Sequence, residues 1–243
     1  MQPFSVTSVD KGLKTSMNGN GFHNFVNNSK NELESHQTTS FIESLEHVVI
    51  KRNKKVYATW FDDNGKGVQS YTYEGIWEEA GYIAHKLRND WNLNKGDRII
   101  LCYDFGLQFF AAFLGCLRAG VTSVLVYPPA PANLKKALPK LAKITADCEA
   151  KFILVDSNVN FLRKVSSLKS RQSWPKIEYK LHPSRNGKLS SMYKKKKPKD
   201  FNDVTISPDD IAFLQYTSGS TGDPKVSAFF VFFLQHSSKF SCS

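Results

Sequence analysis

Ten consecutive residues, Tyr216-Thr217-Ser218-Gly219-Ser220-Thr221-Gly222-Asp223-Pro224-Lys225, concentrate the groups needed to hold a polyphosphate. Backbone N–H groups converge on anionic oxygens only where no side chain blocks the approach, and Gly219 and Gly222 leave that space. Thr217, Ser218, Ser220 and Thr221 add hydroxyl donors. Lys225, behind the rigid Pro224, adds a fixed cation. The plain alternative is a surface turn, since Gly, Ser and Asp-Pro are ordinary loop residues. Against it stands the context: the ten follow the apolar run Ile211 to Leu214 with only Gln215 between. A Walker-type loop is excluded, because there the Lys follows the last Gly at once and precedes Ser or Thr. Here Asp223-Pro224 intervenes.

A loop of this kind needs a rigid strand to present it, and the chain before it supplies a series of strands. Phe41, Ile42, Leu45 and Val48-Val49 recur at helical spacing. Two strands, Val56 to Phe61 and Val68 to Tyr73, flank the hairpin signal Asn64-Gly65. An amphipathic helix is expected from Tyr73 to Trp91, with Ile76, Trp77, Ala80, Ile83, Ala84 and Leu87 on one face. Strand Arg98 to Tyr103, helix Leu107 to Arg118 with its stop at Gly120, and strand Val121 to Tyr127 follow. Helix Leu134 to Asp147, strand Lys151 to Asp156 and helix Val159 to Leu168 continue the pattern. Residues 170–203 are polar and lysine-rich, and read as an irregular connection with at most one strand, Lys176 to Leu181. Strand Ile211 to Thr217 then leads into the loop. Strands alternating with helices of about a dozen residues predict an α/β fold, a mainly parallel sheet with crossover helices.

Composition sets the outer limits. With 243 residues, 41% of them hydrophobic, the chain can bury one sizeable domain and a small second one. An aromatic content of 13% excludes a wholly disordered polymer. The net charge of +11 could signal a polyanionic partner. Five of those charges sit in Lys194 to Lys197 and Lys199, however, which read as a solvated loop. A nucleic-acid-binding module is the rival from another class. No recognition helix, RNA-binding aromatic signature or zinc spacing supports it, so no nucleic-acid partner is expected. Cys102, Cys116 and Cys148 lie among apolar residues, and with Cys242 they form no C-x-x-C pair, which predicts reduced buried thiols. Residues 1–12 lack the apolar core of a signal peptide, and the apolar stretch 109–129 is broken by Arg118 and Gly120, so no transmembrane segment is expected. A cytoplasmic location follows.

The ten-residue motif closely resembles the phosphate-loop signature of the AMP-binding, or adenylate-forming, superfamily of acyl-activating ligases. Ser70 to Leu87 resembles that family's early helix, and Leu93 to Pro129 its first strand–helix–strand unit. Tyr127-Pro128-Pro129 and Phe213-Leu214-Gln215-Tyr216-Thr217 are similar to the fatty acyl-AMP ligase branch. The resemblance covers Phe41 to Lys225 and implies the N-terminal part of the large adenylating domain. It further implies activation of a fatty acid by ATP with Mg2+, through an acyl-adenylate passed to an acyl-carrier protein or CoA. Thr217, Ser218, Gly219, Ser220, Thr221, Gly222 and Lys225 are the nucleotide-binding positions that motif matching assigns. The attacking group is the substrate's own carboxylate. No catalytic nucleophile is therefore assigned, no metal ligand either, and His182 and His236 are expected in loops.

Departure from the family begins directly after Lys225, where a glycine is expected and Val226 stands. The adenine-binding segment, the ribose aspartate and the C-terminal lid of the family all come later in its members. A phosphate cradle without them binds weakly, so the segment alone is expected to be inactive. The organisation expected is a disordered leader over residues 1–39, a partial adenylation domain over 40–225 and an aberrant apolar tail over 226–243. Val226-Ser227 can be encoded by the usual start of a eukaryotic intron, and the Phe-, Ser- and Leu-rich tail fits a translated pyrimidine-rich intron. The rival is a real apolar strand, since Ala228 to Leu234 has the required β-propensity. A non-catalytic truncated product is the corresponding alternative function. If the tail is intronic, most transcripts should join Lys225 to a glycine codon and to further ligase motifs. Transcripts that all encode this tail and its stop would reject that origin.

Overall fold

The computed structural model describes residues 41–104, 106–169, 173–183, 204–218 and 224–231; for residues 168, 169, 218, 224 and 225 it describes the backbone alone. The expected leader, the lysine run, Gly219 to Asp223, Cys242 and His236 lie outside these residues. Helix α1 (Phe41–Arg52) leads into a separate antiparallel hairpin, β1 (Val56–Phe61) with β2 (Gly67–Thr72). Its turn is built as Asn64-Gly65 predicts. Gly65 takes φ +75°, and the Asp62 carboxylate accepts from the N–H groups of Asn64 and Lys66 at 3.0 and 2.9 Å.

Helix α2 (Tyr73–His85) begins where Thr72 accepts a hydrogen bond from the Gly75 N–H at 3.0 Å. The helix expected to run on to Trp91 instead loosens into a π-helical turn, Lys86–Asp90. There the Trp91 N–H donates to the Lys86 carbonyl, five residues back. The wider turn lets Leu87 stay fully buried while Trp91 packs edge-on against Phe152.

The remaining strands are β3 (Arg98–Cys102), β4 (Thr122–Val126), β5 (Ile153–Val155), β6 (Tyr179–Leu181), β7 (Ile211–Ser218) and β8 (Pro224–Phe230). They form one sheet in the order β6-β5-β3-β4-β7-β8, parallel except for the antiparallel pair β7–β8. Helices α3 (Leu107–Ala119), α4 (Leu134–Asp147) and α5 (Ser157–Lys169) fill the crossovers. This is the expected α/β architecture, a mostly parallel sheet with crossover helices.

Alternation along the strands divides the core in two. Ile99, Leu101 and Tyr103 face α1, α2 and α3, with Ile83 and Ala112 among the buried partners. Ile100 and Cys102 face Leu138, Leu141 and Ile144 of α4 and Val159 of α5. Helix α4 shows why its sequence folds this way: those three apolar residues are buried at helical spacing, and Lys135, Lys136, Lys140 and Lys143 lie off that stripe. Cys102, Cys116 and Cys148 are free and buried, as expected. Burial pushes the Cys102 thiol up to about 12 and raises that of Cys116, so neither is a nucleophile at neutral pH.

The boundary placed between Lys225 and Val226 falls inside β8. Val226 pairs with Tyr216, Ala228 with Leu214 and Phe229 with Phe213; the last two rings stack at 4.4 Å between centroids. Val231 is 4% exposed in the core beneath.

Candidate functional site at the carboxyl edge of the sheet

Chain order explains where a ligand can sit. From β3 the chain steps to β4 on one side, then returns to place β5 and β6 on the other. The two crossovers α3 and α4 therefore lie on opposite faces, and a crevice opens outside the carboxyl ends of β3 and β4. A cavity of about 730 Å³ occupies that position. Tyr103 and Asp104 line it from the end of β3, and Leu125 to Pro129 from the end of β4. Phe109 and Phe110 of α3, Leu141 and Ile144 of α4 and Trp60 of β1 supply apolar walls. Gln215, Tyr216 and Thr217 of β7 enter it as well.

The motif residues sit at this edge. Register pairs Leu125 with Gln215, so two residues further on Thr217 comes level with Tyr127. Across the antiparallel ladder Thr217 faces Lys225, and Ser218 faces Pro224. The strands thus run further into the motif than the sequence predicts, and hold its two ends as neighbours. Directly opposed residues in such a ladder have Cα atoms roughly 4.5–5.5 Å apart. Gly219, Ser220, Thr221 and Gly222 lie outside the described residues. The ring of Tyr216, the motif's first residue, is tied down: its hydroxyl donates to Asp147 at the end of α4 at 2.5 Å. Burial, with this bond to a carboxylate, raises its pKa above that of a free phenol, so it stays a donor.

Sequence reasoning missed a second group. Tyr103, Asp156 and His182 each follow the last residue of adjacent strands β3, β5 and β6, in register. The Tyr103 hydroxyl and His182 Nδ1 lie 2.8 Å apart, and His182 Nε2 lies 3.8 Å from a Glu79 carboxylate oxygen on α2. Burial raises the Tyr103 pKa far above its usual value. Asp156 accepts from the Val159 N–H at 2.8 Å and the Asp104 N–H at 2.6 Å, so it fixes the start of α5 and the turn after β3 together. His182 does follow a strand, as a loop residue would, but it is 7% exposed and part of this polar chain. Only the alternation of apolar residues up to Cys102 hinted that Tyr103 continues inward.

Among the described residues no group of His, Cys, Asp and Glu is placed to hold a metal ion, and no helix is long and apolar enough to cross a membrane. The geometry is that of a strand end, carrying the first residues of the motif, that opens on a mainly apolar crevice. A family profile described as AMP-binding enzyme matches residues 45–227. The chain belongs to that family. It is similar to the medium-chain-fatty-acid–[acyl-carrier-protein] ligase JamA of Moorena producens, with 35% identity over 71% of this chain and 27% of that one. It is similar also to the human Disco-interacting protein 2 homolog B, with 31% identity over 60% of this chain and 9% of that protein. Among solved structures, a fatty acyl-adenylate ligase from L. pneumophila, in complex with acyl adenylate and pyrophosphate, superposes with a TM-score of 0.64. The two are 27% identical, and the match covers 80% of this chain and 31% of that one. The chain therefore spans about a third or less of the relatives it matches.

Proposed function

We propose that this chain forms the phosphate- and acid-binding part of a ligase that activates a fatty acid with ATP. The observation that carries the reading is the position of Thr217, at once the start of the phosphate motif and part of the wall of a mainly apolar cavity at the strand-order switch. A carboxylate in that cavity, its hydrocarbon among Phe109, Leu125 and Leu141, has its head group near the phosphates. Attack of its oxygen on the α-phosphorus of ATP forms the acyl–phosphate bond, and pyrophosphate leaves with the electron pair of the broken P–O bond. The motif's hydroxyls, backbone N–H groups and Lys225 then act on charge that develops on the phosphates. Mg2+ would enter as the counter-ion of the nucleotide. The acyl-adenylate passes to a thiol, of an acyl-carrier protein as the name of JamA indicates for that enzyme, or of CoA.

The test is acid-dependent ATP–pyrophosphate exchange by a chimaera in which residues 41–225 replace the matching part of JamA. Dodecanoate should support exchange well above any amino acid. A folded, soluble chimaera that prefers an amino acid, or shows no exchange where JamA itself does, rejects the reading.

A further inference from the structure

The cavity at the strand ends has one wall that the main sheet does not supply. Trp60 belongs to the β1–β2 hairpin, a separate sheet joined to the rest through helix packing. The β1–β2 register shifts between Trp60 and Phe61: Trp60 faces Gln69, but Phe61 faces Gly67, so Val68 is an extra residue. Such bulges bend a ribbon and re-aim a neighbouring side chain, and they concentrate next to binding sites. Trp60 is 36% exposed and Phe110 of α3 is 43% exposed, and both open on this one cavity. An indole and a phenyl ring that would otherwise be solvated at a cost are placed where an apolar ligand can cover them.

The lining is mixed, with Asp104, Asn133 and Lys140 among its polar members. Gln215, Tyr216 and Thr217 enter from β7, while Trp60, Phe109 and Phe110 form the wall contributed by the hairpin and the first turn of α3. A fatty acid whose carboxylate lies beside the motif residue Thr217 has its hydrocarbon left for the apolar walls, the hairpin's Trp60 among them. Taking the acid-activating function proposed above as given, we propose that Trp60 is a specificity-determining residue for that acid. Its indole contacts the distal half of the acyl chain and favours acids long enough to reach it. A chain too short to touch Trp60 gains nothing from it, whereas each methylene brought against an apolar wall is worth about tenfold or more in discrimination.

The four tryptophans make the contact readable. Trp77, Trp91 and Trp174 do not line this cavity; Trp174 is 7% exposed in the core beneath α4. With the 243-residue chain, 12-bromododecanoate below its micelle concentration should quench tryptophan emission, because bromine quenches on contact. 2-Bromododecanoate, with its halogen at the carboxyl end, should quench less. Trp60→Phe should abolish the difference without changing the circular dichroism spectrum. By calorimetry, Trp60→Ala should weaken dodecanoate binding about tenfold and leave hexanoate unchanged. In the JamA chimaera the same substitution should shift kcat/KM for exchange toward shorter acids. Equal quenching by the two bromo acids, a position effect that survives in Trp60→Phe, or equal losses for dodecanoate and hexanoate would overturn the assignment of Trp60 while leaving fatty-acid activation standing. Absence of dodecanoate binding overturns it too, and the exchange assay then decides whether the activity itself falls.

Discussion

Replacing Lys225 by alanine should lower acid-dependent ATP–pyrophosphate exchange about 100- to 1000-fold in the chimaera, the loss typical of removing one preorganised group that stabilises developing charge. The structure explains why a single lysine should matter so much. Lys225 is the second residue of β8 and lies directly across the ladder from Thr217, next to the innermost pair Ser218–Pro224, so the two ends of the motif are fixed by pairing. β7 in turn is held by β4 on its other side and by the Tyr216–Asp147 bond to α4. A cation on such a frame needs no reorganisation when the phosphates gain charge, whereas a lysine on a free loop would be screened and mobile. Thr221→Ala removes a neutral donor and should cost less, since hydrogen bonds from charged groups are the stronger ones. Dodecanoate affinity should fall far less than exchange in both variants, because most of the acid's wall is built by β4, α3, α4 and the hairpin. Exchange at the parental rate in both would show that the motif is an ordinary turn.

The fold was legible in this sequence where one residue's neighbours along the chain decide its state. Gly65 in a turn and Gly120 at a helix stop each carry their own signal, and the hairpin and helix α3 formed within a few residues of their expected bounds. The motif from Thr217 to Lys225 was legible for the same reason: its chemistry is contiguous. What stayed hidden depends on partners far away in sequence. His182 looks like a loop histidine until β6 is laid beside β5, which brings it to a tyrosine 79 residues earlier. Trp60 reads as one more strand aromatic until it is found beside a one-residue bulge and lining the cavity at the strand ends. The π-helical turn after His85 has no local cause in its residues; it serves the burial of Leu87 and the packing of Trp91.

Gly115→Val should destabilise the protein by about 1–3 kcal/mol, the usual cost of overpacking, which for a domain of this size is roughly 2–12 °C in melting temperature. Helices α2 and α3 cross where a Cβ on Gly115 would lie 2.7 and 2.8 Å from Ile83 side-chain carbons and 3.1 Å from the Ala80 carbonyl oxygen. Ile83 is fully buried and cannot step aside, and the carbonyl belongs to a helix backbone. One turn away the contact is mirrored. A Cβ on Gly81 of α2 would lie 2.8 Å from the guanidinium of Arg118 on α3, which stacks 3.9 Å over the Trp77 ring and donates to the Trp77 carbonyl at 2.8 Å. The two glycines let the helices approach until each accepts a side chain of the other. A helix-propensity argument alone predicts the opposite sign for a glycine-to-alanine change, because alanine gains about 1 kcal/mol over glycine in a helix. Valine removes the ambiguity: its second and third carbons have no space, and its branching restricts χ1. The crossing also sets the direction of α3, whose first turn carries Phe109 and Phe110 into the cavity, so dodecanoate binding should weaken in the same variant. Ile83→Ala opens room at the point of collision, so its own loss, about 2–5 kcal/mol as a single change, should not add to that of Gly115→Val. Thermal denaturation of the two single variants and the double one measures the coupling. Strict additivity would mean that the helices have separated and that close contact at Gly115 is not what holds α3 in place.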